Sequence, residues 1–244
     1  MTESILPGGF VNRVVRDGDT VRRNPGERAE FVHGLLRHFE QSGWAGAPRL
    51  LGVDGDGREV LTFLDGYVAW QSPTDLVSSA ESLAGVARLV RQFHDLTAGT
   101  PLAGDKEVVC HNDLSPKNTV YRDGGAGLRP VAFIDWDIAA PGARIHDIAH
   151  ICWQYLDLGP AVADPATAAR GVRLMCDAYG LADRSQVVAT ILWWQDRCWR
   201  GIDAGADAGD PAMANLRASG AVRSVRAAHD WVLAHQPQFK AALT

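Results

Sequence analysis

Two short stretches carry the residue types that could do chemistry. His111-Asn112-Asp113-Leu114-Ser115-Pro116-Lys117-Asn118 follows the apolar run Val108-Val109-Cys110 and precedes the extended run Thr119-Val120-Tyr121. Val131-Ala132-Phe133-Ile134 then ends in Asp135-Trp136-Asp137. A loop between strands can hold an acid and an amide rigidly near one point. The 17 residues from Asn118 to Asp135 suit a hairpin that returns the chain to the same place. Phosphoryl transfer needs this set: hard oxygens on Mg²⁺, and a carboxylate that orients the attacking hydroxyl. Asp113 suits the catalytic role, and Asn118 with Asp135 the metal role. His111 reads as a structural hydrogen-bonding residue at the base of the loop. A bland alternative exists, since loop Asp and Asn are commonly caps and turn formers. Two strand-flanked motifs in tandem outweigh it.

The spacing H-x-D-x-x-x-x-N, with a later Asp-Trp-Asp, matches the catalytic-loop pattern of kinases. More specifically, the chain resembles the aminoglycoside phosphotransferase and choline kinase-like family. Pro141-Gly142 and His146-Asp147-Ile148-Ala149 extend the match, which is clear over about residues 105–156. The resemblance implies a bilobal, protein-kinase-like α+β fold with ATP or GTP in its cleft and Mg²⁺ beside it. It also implies that Asp147 braces the catalytic loop instead of touching substrate.

The elements that must position these residues follow from the pattern. Phe10–Arg16 and Thr20–Arg23 read as strands joined at Asp17-Gly18-Asp19, where Gly tolerates positive φ. In Gly26–Ser42, Phe31, Leu35, Leu36 and Phe39 recur at helical spacing, and Gly43 is a stop. Pro48–Val53 and Arg58–Phe63 add two strands. From Thr74 to about Thr97 the apolar residues fall on one helical face. Helices are expected near Ile145–Leu156, Pro165–Tyr179, Arg184–Ile202 and Pro211–His235, with a break at Gly205, Gly209 and Pro211. The expected organisation is a small sheet-rich nucleotide lobe at 1–66 and a mainly helical catalytic and substrate-binding lobe at 67–244, with Leu61–Gly66 as a hinge whose backbone meets adenine.

Kinase-like folds hold the α- and β-phosphates with a strand Lys paired to a helix Glu. The lysines here are Lys106, Lys117 and Lys240, so none lies in the first lobe. Arg22 and Arg23 end the right strand and Glu30 begins the right helix. Arg can replace Lys, since its fork of donors suits phosphate oxygens. Only one of two neighbours on a strand faces inward, and the sequence leaves open which. Surface arginines are the plainer reading of both. Gly8-Gly9 could cover phosphate, and Lys117 could reach the γ-phosphate or point to solvent.

Composition sets the outer bounds. The 244 residues carry a formal charge of −5, with no long basic run, which argues against a nucleic-acid partner. No apolar stretch reaches the roughly 18–20 residues of a membrane span. The four cysteines lack metal-type spacing and suit a reducing cytoplasm. The expected function is transfer of the γ-phosphoryl group of ATP to a hydroxyl of a small molecule. A different class is a non-catalytic kinase-fold binding or immunity protein, favoured by the missing lysine. A third is a metal phosphohydrolase of the HD type, suggested by His146-Asp147 and His150 but expected to be all-helical. Acids after residue 156 are scattered, so the acceptor stays open.

Overall fold

The computed structural model describes residues 4–5, 14–70, 75–125 and 127–244. Strands β1 (Ser4–Ile5), β2 (Val15–Asp17), β3 (Thr20–Arg23), β4 (Leu50–Val53) and β5 (Glu59–Thr62) form one antiparallel sheet in the order β1-β2-β3-β5-β4. Gly18, at φ 61°, makes the tight β2–β3 turn. The β3–β5 register sets Arg23 opposite Glu59, residues far apart in sequence. Most of the expected strand Phe10–Arg16, and Gly8 and Gly9, lie outside the described residues.

Helix α1 (Ala29–Gln41) buries Val32, Leu35, Leu36 and Phe39; the spacing predicts the last three, but Val32 takes the place expected for Phe31, which is half-buried. A 3-10 turn at Asp75–Ser78 precedes α2 (Ala80–Thr97). Ser79 caps α2 by accepting the Ser82 backbone N–H. Two two-stranded antiparallel sheets follow from β6 (Val108–Cys110), β7 (Thr119–Asp123), β8 (Leu128–Phe133) and β9 (Ala140–Gly142), the β7–β8 hairpin and the pair β6–β9. Phe39 of α1, Trp44 after it, Phe93 of α2 and Trp136 after β8 pack edge-on or tilted at centroid distances of 4.7–6.4 Å. This aromatic core lies directly beneath the two motifs.

Helix α3 (Arg144–Tyr155) leads into α4 (Pro165–Tyr179), α5 (Val187–Asp207), α6 (Pro211–Ala218), α7 (Ala221–Ala234) and α8 (Gln236–Leu243). Asp164 caps α4 and Asp210 caps α6, each followed by Pro at the first helical position. The single helix expected over Pro211–His235 is two helices, because Gly220 sits at φ 91° and interrupts the ladder. Gly205 does not break α5, which runs on to Asp207.

The result is a mixed α+β, bilobal arrangement with a sheet lobe followed by a largely helical lobe. Compactness divides the chain at Asp147, into units 1–147 and 148–244, beyond the 66/67 join that the sequence suggests. Both two-stranded sheets and α2 belong to the first unit. Among the described residues no helix is long and apolar enough to cross a membrane.

Candidate functional site

The loop after β6 is held from below by Asp147. This carboxylate is fully buried; Oδ2 accepts from the His111 backbone N–H (2.8 Å) and faces His94 Nε2 (3.1 Å), while Oδ1 accepts from Asn112 N–H (3.0 Å). Burial alone would push its pKa up, but these donors, His94 foremost, hold it below the usual carboxylate range. Cys110 joins His94 and Asp147 in a buried cluster whose ligand-type atoms lie within 4.8 Å of one another. Its thiol donates to Ala143 O, and burial pushes its pKa up. Both Asp147 oxygens already accept N–H groups, so the cluster acts as a hydrogen-bond brace.

His111 is buried against Trp136, with ring centroids 4.4 Å apart. Its Nδ1 accepts the Asp113 backbone N–H (3.3 Å), which leaves Nε2–H to donate to Ile134 O (3.1 Å). The ring thus ties the first motif to the second. Asn118 does the same from the other side, since its carbonyl accepts Ile134 N–H at 3.0 Å. Asn118 Nδ2 donates to both the carbonyl and Oδ2 of Asp113, each at 2.8 Å. Its Oδ1 is buried with no donor among the described residues, the sort of orphan oxygen that a cation or water would satisfy. Asp113 is half-buried, and Lys117 is exposed.

The second motif is anchored by Trp136, 1% exposed, with Nε1–H donating to Phe133 O at 3.0 Å. On either side of it stand Asp135, at φ 65°, and Asp137. Both acids meet Arg23. Its Nη1 reaches Asp135 Oδ1 (3.3 Å) and Asp137 Oδ2 (3.1 Å), and Nη2 reaches Asp137 Oδ1 (2.5 Å). Nε donates to Glu59 Oε2 at 2.9 Å. Glu59 Oε1 in turn meets His33 Nε2 of α1 at 2.7 Å. Burial would lower the Arg23 pKa, but Asp137, Glu59 and Asp135 outweigh it and raise it. Burial raises the Asp137 pKa, aided by Asp135 and Glu59 and opposed by Arg23.

The structure therefore brings together Asp113, Asn118, Asp135, His111, Asp147 and Arg23. It does not bring Glu30, which is exposed in the first turn of α1 while Glu59 holds Arg23. Arg22 turns to the other face of β3 and pairs with Asp17 at 2.8 Å. Sequence reasoning missed Glu59, His33 and His94. Glu59 had a usable signal, an acid at the start of a predicted strand that pairs with β3. His94 had none, because a His on an apolar helix face is ordinarily core.

A sheet with one helix against it, a braced H-x-D loop and a strand-end Asp-Trp-Asp define the kinase-like class of fold. Residues 98–183 match the model of the phosphotransferase enzyme family. A protein of Rhizobium leguminosarum bv. trifolii, the trifolitoxin immunity protein, is 32% identical over 207 residues, covering 75% of this chain and 76% of the relative. Among solved structures, a choline/ethanolamine kinase family protein from Mesorhizobium loti aligns over 100% of this chain and 91% of its own, with TM-score 0.66 and 18% identity. The GDP complex of aminoglycoside 2'-phosphotransferase-IIIa aligns over 100% and 92%, with TM-score 0.57 and 12% identity. The chain belongs to the aminoglycoside phosphotransferase and choline kinase-like family.

One expectation is overturned at this point. The sequence suggests an ATP-dependent kinase acting on an alcohol, with the matching keywords of transferase and phosphotransferase. The relative with 32% identity over three quarters of this chain is named for immunity and not for a transfer reaction. The solved structures, all at low identity, speak to fold alone. Membership of the family stands; the assignment of turnover to this chain does not. The all-helical phosphohydrolase alternative also falls, since both motifs follow strands of antiparallel sheets.

Proposed function

We propose that this chain is a non-catalytic binding protein on a kinase frame, of the immunity type. The observation that carries this reading is the seat of Arg23. A Mg²⁺ ion used in phosphoryl transfer is held by hard carboxylate oxygens. Here the two acids of the second motif are already paired with a guanidinium, which Glu59 fixes from behind. With Arg23 so seated, the residues do not fit Mg²⁺: Asp135 Oδ1 and both Asp137 oxygens face the guanidinium, and a metal ion at this strand end would have to displace its charge. Asp113 and Asn118 have a folding role that needs no reaction, since their side chains close the loop on itself.

A purine nucleotide, ATP or GTP, is proposed as a ligand of the first unit and not as a phosphate donor. Support comes from the shared frame of the neighbour solved with GDP. The relative named for immunity supports recognition without turnover as the purpose of the site.

The test is ADP formation from ATP and Mg²⁺ with aminoglycosides, choline or ethanolamine as acceptors, beside calorimetry with ATP and GTP. The expected result is nucleotide affinity that changes little with Mg²⁺ and ADP formation no faster than in Asp113→Ala. Phosphorylated acceptor made by the parent and lost in Asp113→Ala would overturn the reading.

A further inference from the structure

Within the unit 148–244, arginine and tryptophan side chains gather where α5 meets α6 and α7. On α5, Arg197 lies over the Trp193 ring at 5.5 Å and Arg200 over the Trp199 ring at 4.3 Å. Arg226 of α7 lies over the same Trp199 ring at 5.0 Å. Arg200 and Arg226, stacked on that one ring, line two separate hollows of about 480 and 500 Å³. The first is lined by Trp193, Arg197 and Arg200, the second by Arg223, Arg226 and Asp230 among others. Trp193 is 45% exposed, unusual for so large an apolar side chain.

Only part of the positive charge here is paired. Arg200 pairs with Asp196 and Arg217 with Asp207. Arg197, Arg223 and Arg226 are exposed and have no carboxylate partner among the described residues. A guanidinium laid on an indole keeps its edge N–H groups free for a second acceptor, while the stack fixes its plane. Trp and Arg together are also the side chains most enriched where partners are gripped.

We infer that this α5–α7 surface binds an acidic peptide segment carrying aromatic side chains. Carboxylates of the peptide meet Arg197, Arg223 and Arg226, and its rings enter the hollows beside Trp193 and Trp199. A nucleic-acid strand fits less well. The pairs Arg200–Asp196 and Arg217–Asp207, with Asp230, break the positive row into separate points. A continuous phosphate backbone would face those acids, whereas a peptide can space its carboxylates around them. The surface lies wholly outside the unit that holds Arg23 and Asp113, so this inference does not depend on the proposed absence of turnover.

The probe is a fluorescein-labelled (Glu-Glu-Tyr)₄ peptide followed by anisotropy, with a labelled dT₁₂ strand and a (Lys-Lys-Tyr)₄ peptide alongside. The parent is expected to bind the acidic peptide at least tenfold tighter than either comparison. The double variant Arg197→Glu, Arg226→Glu should lose at least tenfold in affinity while keeping the parent's melting curve. If that variant melts early, Arg223→Gln replaces it, with a loss of a few-fold expected. Equal binding of the acidic peptide by parent and folded variant, or dT₁₂ binding as tight as the peptide, would overturn the inference.

Discussion

Arg23 and Arg22 are neighbours of the same type with opposite environments, and that contrast is measurable. Arg23 has a side chain 9% exposed among Glu59, Asp135 and Asp137, whereas Arg22 is 30% exposed and, among the described residues, pairs with Asp17. Removing one partner of a buried ionic cluster leaves charge uncompensated, a loss of about 3–5 kcal/mol when burial is complete. Asp135 is 46% exposed, so Arg23→Ala should cost less, about 2–3 kcal/mol in urea unfolding. Arg22→Ala should cost under about 1 kcal/mol. Equal midpoints for the two variants would contradict the assignment of Arg23 as the buried clamp. Asp147 supplies a pH signature. Its folded carboxyl binds a proton less tightly than the unfolded one, so its stabilisation is full above the unfolded value, about 3.9, and is lost as pH falls through the lower folded value. Asp147→Asn should lower stability at pH 7 by about 3 kcal/mol and flatten the acid limb of the stability curve. A variant with the parent's acid limb would remove Asp147 from that role.

Elements explain why some of this was legible beforehand and some was not. Asp113, Asn118 and Asp135 are readable because one loop and one strand end carry them, at spacings fixed by local chain geometry. The partner of Arg23 is not, because it depends on the register of β3 on β5, a pairing across 36 residues. Local helix logic pointed to Glu30, the acid in the first turn of α1, but the sheet register overrode it. The split between α6 and α7 was hidden for a similar reason: Ser219-Gly220 reads as a tolerated pair inside a helix until φ 91° is seen. Gly66 gives a test at this scale. It sits at φ 154°, and a Cβ there would lie 2.5 Å from Tyr121 O on β7, beside the Tyr67–Tyr121 bridge. Gly66→Ala should destabilise the protein by about 1–3 kcal/mol or more, since backbone and not a flexible side chain blocks the methyl group. A melting temperature equal to that of the parent would show that this segment can yield.

For the molecule as a whole, fold and activity separate. A kinase-like frame with its loop acid and amide in place belongs to a family of phosphotransferases, yet what a frame does is decided at its site. In this chain three carboxylates surround one guanidinium, and the cation at the end of the second motif is the protein's own. Removing this one basic residue should therefore open a metal site. Titration of Mn²⁺ into the parent and into Arg23→Ala, read by the loss of the free-ion paramagnetic resonance signal, tests it most directly. Weak binding by the parent is expected, with at least tenfold tighter binding by Arg23→Ala that is abolished again by adding Asp135→Ala. Parent protein that binds Mn²⁺ as tightly as Arg23→Ala would show that Arg23 does not close the site, and would contradict the account.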